Sequence, residues 1–429
     1  MNFLKLRWVI YTIIFSSVTQ LFAQPAFVTT KHHQFFISNT PYYYVGANYW
    51  YGGLISNDKK GEIRVKKELD FLVSKGVTNL RVLAGAEGAG QINGVPRVEP
   101  ALQPEKGKFN VKLLHGLDFL LVEMGKRNMK AIIFLSNNWE WSGGLLQYLN
   151  WNGLIADSVL QRKLSWDEMR DYVSQFYQCG PCMEQYAEQV KLIVNRTNTI
   201  TGKRYKDDAA IMSWEIVNEP RPMRPAAIPY FLKWIKNTAA YIKTVDKNHL
   251  VTTGSEGEQG SENMDVFKEI HSDSNFDYAT IHIWPKNWGW FKDTSIAKSM
   301  TDIIALSNSY IDKHDSVMMQ IDKPLVIEEF GLPRDNNSFL FSASTGSRDK
   351  YYGFVFNKLW MSYKNKGSIA GCNFWAFSGQ GRPSYQQLLW KRGDDVLGDP
   401  SVEEQGLNSV FDRDESTWKV IRTSINKIK

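Results

Sequence analysis

The 429-residue chain has only three cysteines, Cys179, Cys182 and Cys372. That is too few for the disulfide framework that holds small secreted domains together. It has seven histidines and no His-Glu-x-x-His spacing, so no catalytic metal is expected. No Gly-x-Ser-x-Gly elbow occurs, which removes the usual sign of serine hydrolysis. Gly85-Ala86-Glu87-Gly88-Ala89-Gly90 has neither dinucleotide-binding nor phosphate-loop spacing, so no cofactor is expected. No block of Lys or Arg interleaves with aromatics, which argues against nucleic acid. Beyond the N-terminus no apolar run is long enough to cross a bilayer.

The N-terminus itself reads as an address. Lys5 and Arg7 precede the apolar run Trp8–Phe15, followed by Ser16-Ser17 and Leu21-Phe22-Ala23. A positive start, a short apolar stretch and a small residue at the cut describe a secretory signal peptide over residues 1–23. The mature chain, 24–429, is then secreted, either extracellular or periplasmic. Losing Lys5 and Arg7 takes the formal charge from +6 to +4, which favours solubility and a monomer without implying an acidic partner. Cys179-Gly-Pro-Cys182 has redox-motif spacing but does not follow a first strand. In an oxidising compartment it reads as a short local disulfide or two inert thiols.

What the chain has in quantity is aromatic surface: 15 Trp, 19 Tyr and 23 Phe. Rings beyond the needs of a core are suited to stacking on flat ligands such as sugars. From residue 42 short apolar runs alternate with amphipathic stretches. The runs are 42–48, 77–83, 131–135, 211–217, 250–254, 278–283, 324–328 and 369–375. They are nearly continuous in apolar character, as parallel strands buried on both faces must be. Segments 63–74, 231–245 and 350–363 carry helical periodicity. Eight such units without a linker predict one α/β domain, a (β/α)8 barrel; an open doubly wound sheet is the competing architecture. The long stretches 84–111, 138–182 and 284–302 each follow a strand and should gather at the C-terminal face, where barrel active sites lie.

Two strand ends carry carboxylates. Trp214-Glu215-Ile216-Val217-Asn218-Glu219-Pro220 delivers Asn218 and Glu219 to a tip that Pro220 terminates. Val326-Ile327-Glu328-Glu329-Phe330-Gly331 ends on a pair that the pattern alone cannot separate. Paired carboxylates on two strands of one barrel suit glycoside hydrolysis, in which one protonates the leaving oxygen and the other attacks the sugar carbon or activates water.

Through these motifs the chain resembles glycoside hydrolase family 5, of the clan A retaining glycosidases, and within it the bacterial endo-β-1,4-mannanases. The resemblance implies Glu219 as acid/base, Asn218 as donor to the sugar 2-hydroxyl and Glu329, rather than Glu328, as nucleophile. Arg81, His282 and Trp375 match the family's nucleophile-supporting arginine, its sixth-strand histidine and its sugar platform. Leu135-Ser136-Asn137-Asn138-Trp139 and Arg221 are similar to mannanase substrate contacts. The implied substrate-binding set is therefore Arg81, Asn138, Asn218, Arg221, His282, Trp284 and Trp375. Trp284 stands where the family has a tyrosine bonded to the nucleophile, so it enters only as a subsite residue. The implied enzyme is a mannan endo-1,4-β-mannosidase acting on β-mannan. Competing readings are an endo-β-1,4-glucanase of the same family and a non-catalytic carbohydrate-binding barrel.

Overall fold

The computed structural model describes residues 26–292, 295–384 and 388–429. The signal-peptide segment predicted over residues 1–23 lies outside them. Eight parallel strands form one sheet: β1 (Tyr44–Asn48), β2 (Asn79–Leu83), β3 (Lys130–Phe134), β4 (Ile211–Glu215), β5 (Leu250–Thr252), β6 (Ala279–Ile283), β7 (Leu325–Phe330) and β8 (Ile369–Phe374). Each lies within one of the eight predicted runs, extended by up to two residues. The ladder runs in chain order from β1 to β5, and β1 pairs with β8, which leads through β7 to β6. Asp277 N donating to Val251 O (2.9 Å) and His282 N to Glu256 O (3.1 Å) join the remaining gap between β5 and β6. The sheet thereby curls into a (β/α)8 barrel, and the doubly wound alternative falls.

Helices α1 (Lys59–Lys75), α2 (Val111–Lys126), α3 (Gly180–Val194), α4 (Ile228–Val245), α5 (Met264–Ser272), α6 (Ile296–Ile321), α7 (Gly346–Asn365) and α8 (Glu415–Ile425) follow the strands in turn. Their boundaries are chemical. Asp58 caps α1 by accepting from Gly61 N, and Gly76, at φ 89°, ends it in the left-handed conformation a β-carbon disfavours. Cys179 and Cys182 are joined in a disulfide at the start of α3. Of the two outcomes left open, the bonded one holds.

The barrel's lower mouth is plugged. Val28 and Phe35, from the hairpin Val28–Lys31 and Gln34–Ile37, pack with Tyr44, Ile132, Met212 and Val326 in a separate apolar cluster. Toward the upper end the inward side chains become polar: Asn48, Arg81, Glu215, Glu328 and Asn373 are all fully buried. Such a layer is stable only if its members satisfy one another. That requirement builds the site above it.

Candidate active site

Arg81 organises the polar layer from the end of β2. Its five N–H groups all have partners: Nε donates to Glu215 Oε2 (2.8 Å), Nη2 to Glu215 Oε1 (2.5 Å) and Asn218 Oδ1 (2.7 Å), and Nη1 to Asn48 Oδ1 (3.1 Å) and to Glu329 Oε1. The guanidinium also lies 4.5 Å over the Phe134 ring. A planar fork with fixed donors is what such simultaneous bonding needs, and lysine could not supply it. Arg81 is fully buried and does not line the cavity above. It holds Glu329, as the resemblance implies, and Asn218, so its place in the substrate-binding set is corrected to support of those two residues rather than contact with sugar.

Glu219 lies just past β4 with φ 54°, an uncommon setting for a residue with a β-carbon. Backbone on both sides fixes it there: Glu219 N donates to Gly254 O (2.9 Å) and Asn218 N to Ser136 O (2.9 Å). Gly254 is required, because a β-carbon on it would come within 2.2 Å of both Glu215 Oε1 and Val217 O. Glu219 Oε2 accepts the indole N–H of Trp139, and Oε1 lies 2.7 Å from His282 Nδ1. Burial pushes the Glu219 carboxyl up, against the pull of Arg221 and the Trp139 donor.

Glu329 faces it from β7. Burial raises its carboxyl too, with Arg81 opposing and the charge of Glu219 adding to the rise. Trp284 Nε1 donates to Glu329 Oε2 at 3.1 Å. This adds to the expectation for Trp284: besides lining the cavity as a subsite residue, its indole N–H supplies a donor to Glu329. One oxygen of Glu219, one of Glu329 and a nitrogen of His282 all lie within 4.8 Å of one another. Among the described residues this trio is also the one group placed to share a cation.

Two other predicted sugar contacts are placed elsewhere. His282 is fully buried beneath the two carboxylates, outside the cavity lining. Asn138 is also fully buried; its N–H donates to Asn218 O (3.0 Å) and its side-chain amide has no partner. Strand-end position could not tell a side chain facing the ligand from one facing the barrel. Asn218, Arg221, Trp284 and Trp375 do line the cavity, with Glu219 and Glu329. Asn218 Nδ2 uses one proton on Asn137 Oδ1 (3.0 Å), which leaves the other available to a ligand.

The cavity holds about 860 Å³ and is walled with tryptophan: 139, 141, 166, 284, 288, 290 and 375. Trp375 and Trp284 meet edge to face with centroids 5.8 Å apart. On the opposite side Arg221 lies between Trp139 (5.3 Å) and Trp166 (5.5 Å) and is clamped by both oxygens of Glu256. Glu256 was missed by sequence reasoning, although Gly254-Ser255-Glu256-Gly257 after β5 carries the same signal, a carboxylate past a strand end beside glycine. The hold of Trp139 on Glu219 had no such signal.

Replacing Trp284 with Phe keeps an aromatic wall but removes the donor to Glu329. A hydrogen bond to a charged group is worth about 1.5–3 kcal/mol, so kcat should fall by roughly 10–100-fold. Steady-state kinetics alongside circular dichroism checks this; an unchanged kcat would show that the indole N–H does nothing for Glu329.

A barrel that brings two carboxylates together at its C-terminal face, in a cavity walled with indoles, has the architecture of a glycoside hydrolase. Residues 25–429 match the family described as "GH family 5 beta-mannosidase-like", and the chain belongs to that family. It is similar to mannan endo-1,4-beta-mannosidase 1 of Oryza sativa subsp. japonica, 28% identical over 94% of this chain and 86% of that one. It is also similar to mannan endo-1,4-beta-mannosidase 1 of Arabidopsis thaliana, 30% identical over 81% of each. The crystal structure of a glycoside hydrolase family 5 mannosidase from Rhizomucor miehei superposes with TM-score 0.84 at 30% identity, covering 95% of this chain and 98% of that one. These relatives are plant and fungal, so the expected bacterial affiliation has no support among them.

Proposed function

We propose that the protein is a secreted, endo-acting retaining hydrolase that cleaves β-1,4-mannosidic bonds in mannan-type polysaccharides. The observation that carries the retaining assignment is that one carboxyl oxygen of Glu219 and one of Glu329 lie within 4.8 Å of each other. Retaining enzymes hold their carboxyl groups about 5–5.5 Å apart, whereas inverting enzymes need about 6.5–9.5 Å to admit a water. Two buried carboxyls this close share a proton. On this reading it resides on Glu219, because Glu329 touches the Arg81 guanidinium and takes the Trp284 N–H, while Arg221, the cation that acts most strongly on Glu219, is shared with both oxygens of Glu256. Glu329 then attacks the anomeric carbon as Glu219 protonates the departing oxygen. Glu219, now a carboxylate, next deprotonates the water that releases the sugar from Glu329.

Mannan as substrate is supported by the plant relatives, which are mannan endo-1,4-beta-mannosidases. The test is release of reducing ends from mannan against carboxymethyl-cellulose. A faster rate on the glucan would replace this reading with the endo-glucanase one, and binding of mannan without any release would favour the non-catalytic barrel.

One observation favours a second reading, removal of single mannose units from chain ends. Pro400, Val402, Glu403 and Asn408, after β8, line the cavity. Their segment is fastened to the loop after β2 by Ser401 Oγ donating to Pro96 O (2.6 Å) and Arg392 pairing with Glu99 (2.6 Å). Trp50 Nε1, just past β1, adds a bond to Gly398 O (2.7 Å). Loops joined this way form a wall across one end of a groove. Early products decide: a ladder of oligosaccharides supports endo cleavage, and mannose alone supports the second reading.

A further inference from the structure

Three buried polar atoms beneath the catalytic pair have no hydrogen-bond partner: His282 Nε2 and both carboxyl oxygens of Glu328. They are neighbours, with His282 Nε2 lying 3.6 Å from Glu328 Oε2. The backbone places them together. Ile281 pairs with Ile327 but His282 pairs with Glu329, so Glu328 is an extra residue bulged out of the β6–β7 ladder. In a regular strand Glu328 and Glu329 would point to opposite faces. With the bulge both reach Arg81, Glu328 at 3.5 Å from Nε and Glu329 in contact with Nη1. The imidazole of His282 thus stands among three carboxyls: Nδ1 is bonded to Glu219 (2.7 Å) with Glu329 farther off (3.5 Å), and Nε2 faces Glu328 alone.

We propose that Glu328 is a positioning residue for the acid/base: it takes the Nε2–H of His282 and so leaves Nδ1 as the acceptor for the proton that Glu219 carries on Oε1. The inference rests on the assignment of Glu219 as acid/base. A neutral imidazole has one donor and one acceptor nitrogen, and the partner on one side decides which is which. His282 is neutral at working pH, since burial, reinforced by Arg81, pushes it down to about 3. A small closure of the 3.6 Å gap would satisfy two of the three orphaned atoms at once, and leaving them apart costs free energy in a buried site. Around Glu328 stand Arg81 on β2, Glu215 on β4, Tyr278 and His282 on β6, Glu329 on β7 and Tyr44 on β1. Arg81 is the one cation among them, and its donors are already committed. Burial holds the Glu328 carboxyl well above its usual range, with the charge of Glu215 adding to the rise, so Glu328 is protonated toward Glu215 and accepts Nε2–H through its other oxygen. With the opposite tautomer, Nδ1–H would donate to Glu219 and favour its carboxylate, the wrong form for the first step.

The direct test needs no substrate. Nitrogen-15 NMR of the imidazoles in the intact enzyme, with His282 assigned by its loss in His282→Gln, should show the Nε2–H tautomer; Nδ1–H would overturn the proposal. The kinetic test compares Glu328→Leu with Glu328→Gln on aryl β-mannosides. Glu328→Leu should lose about tenfold in kcat/KM with a poor leaving group, lose far less with dinitrophenolate, and shift its alkaline limb down in pH. Glu328→Gln retains an oxygen for Nε2–H and should lie nearer wild type on both measures. Equal losses on both substrates with an unmoved pH profile would mean that Glu328 is only structural. Wild-type enzyme that releases no reducing ends from mannan and cleaves no aryl β-mannoside would instead sink the proposed function, and the tautomer result would stand apart from it.

Discussion

Replacing Glu329 with Ala is expected to lower kcat on mannan by at least about 10⁴-fold, since removal of a nucleophile that acts as part of a catalytic unit abolishes nearly all rate enhancement. Glu329 has no substitute in the geometry. Glu328, its neighbour in sequence, is fully buried and does not line the cavity, so it cannot approach an anomeric carbon there. The fold should survive, because Arg81 retains its paired bonds to Glu215 and those to Asn48 and Asn218. Small anions such as azide should restore part of the rate and give a product of inverted configuration. A variant keeping more than about a hundredth of wild-type kcat would show that the attack is made elsewhere.

Glu219→Ala should behave differently, and the difference separates the two roles. Its rate on mannan should fall by about 10²–10⁴-fold, the span of positioned acid/base catalysis. With dinitrophenyl β-mannoside, whose leaving group needs no proton, the first step should persist. The sugar then accumulates on Glu329, because no base activates water. The pH profile supplies a second signature. Glu219 must be protonated to act as acid, so activity falls as pH rises through its pKa. Burial raises that pKa, so the alkaline limb belongs above the ordinary glutamate value of about 4.3. In Glu219→Ala that limb should vanish. A limb that persists unchanged would assign it to another group.

The barrel was legible because parallel strands covered on both faces must be apolar throughout, and all eight runs from Tyr42 to Trp375 carry that mark. The carboxylates were legible as strand-end residues, but the strand pattern left Glu328 and Glu329 unseparated, and only the family resemblance chose Glu329. Alternation would turn only one of them inward, whereas the bulge at Glu328 turns both toward Arg81. Asn138 and His282 fell in the right neighbourhood but away from the cavity, and Arg81 supports Glu329 as the resemblance implies without lining it, since residue type at a strand tip does not say which way the side chain faces. Trp139 escaped for a related reason: its grip on Glu219 depends on a loop path without any periodicity. That path is set by Glu87, which is buried and accepts from Ser136 Oγ (2.7 Å), Gly144 N (3.1 Å) and Gln189 Nε2 (2.7 Å). Burial pushes the Glu87 carboxyl up to about 7, and nothing in its glycine-rich sequence surroundings announces it.

The central claim is that Glu329 and Glu219 work as a nucleophile and an acid/base within one double displacement. Trapping with a 2-deoxy-2-fluoro-β-mannosyl fluoride, followed by peptide mass mapping, tests it most directly. The fluorine slows both steps and the reactive leaving group lets the first proceed, so a covalent mannosyl-enzyme should accumulate on Glu329. Label on Glu328, or turnover with inversion and no covalent species, would contradict the account.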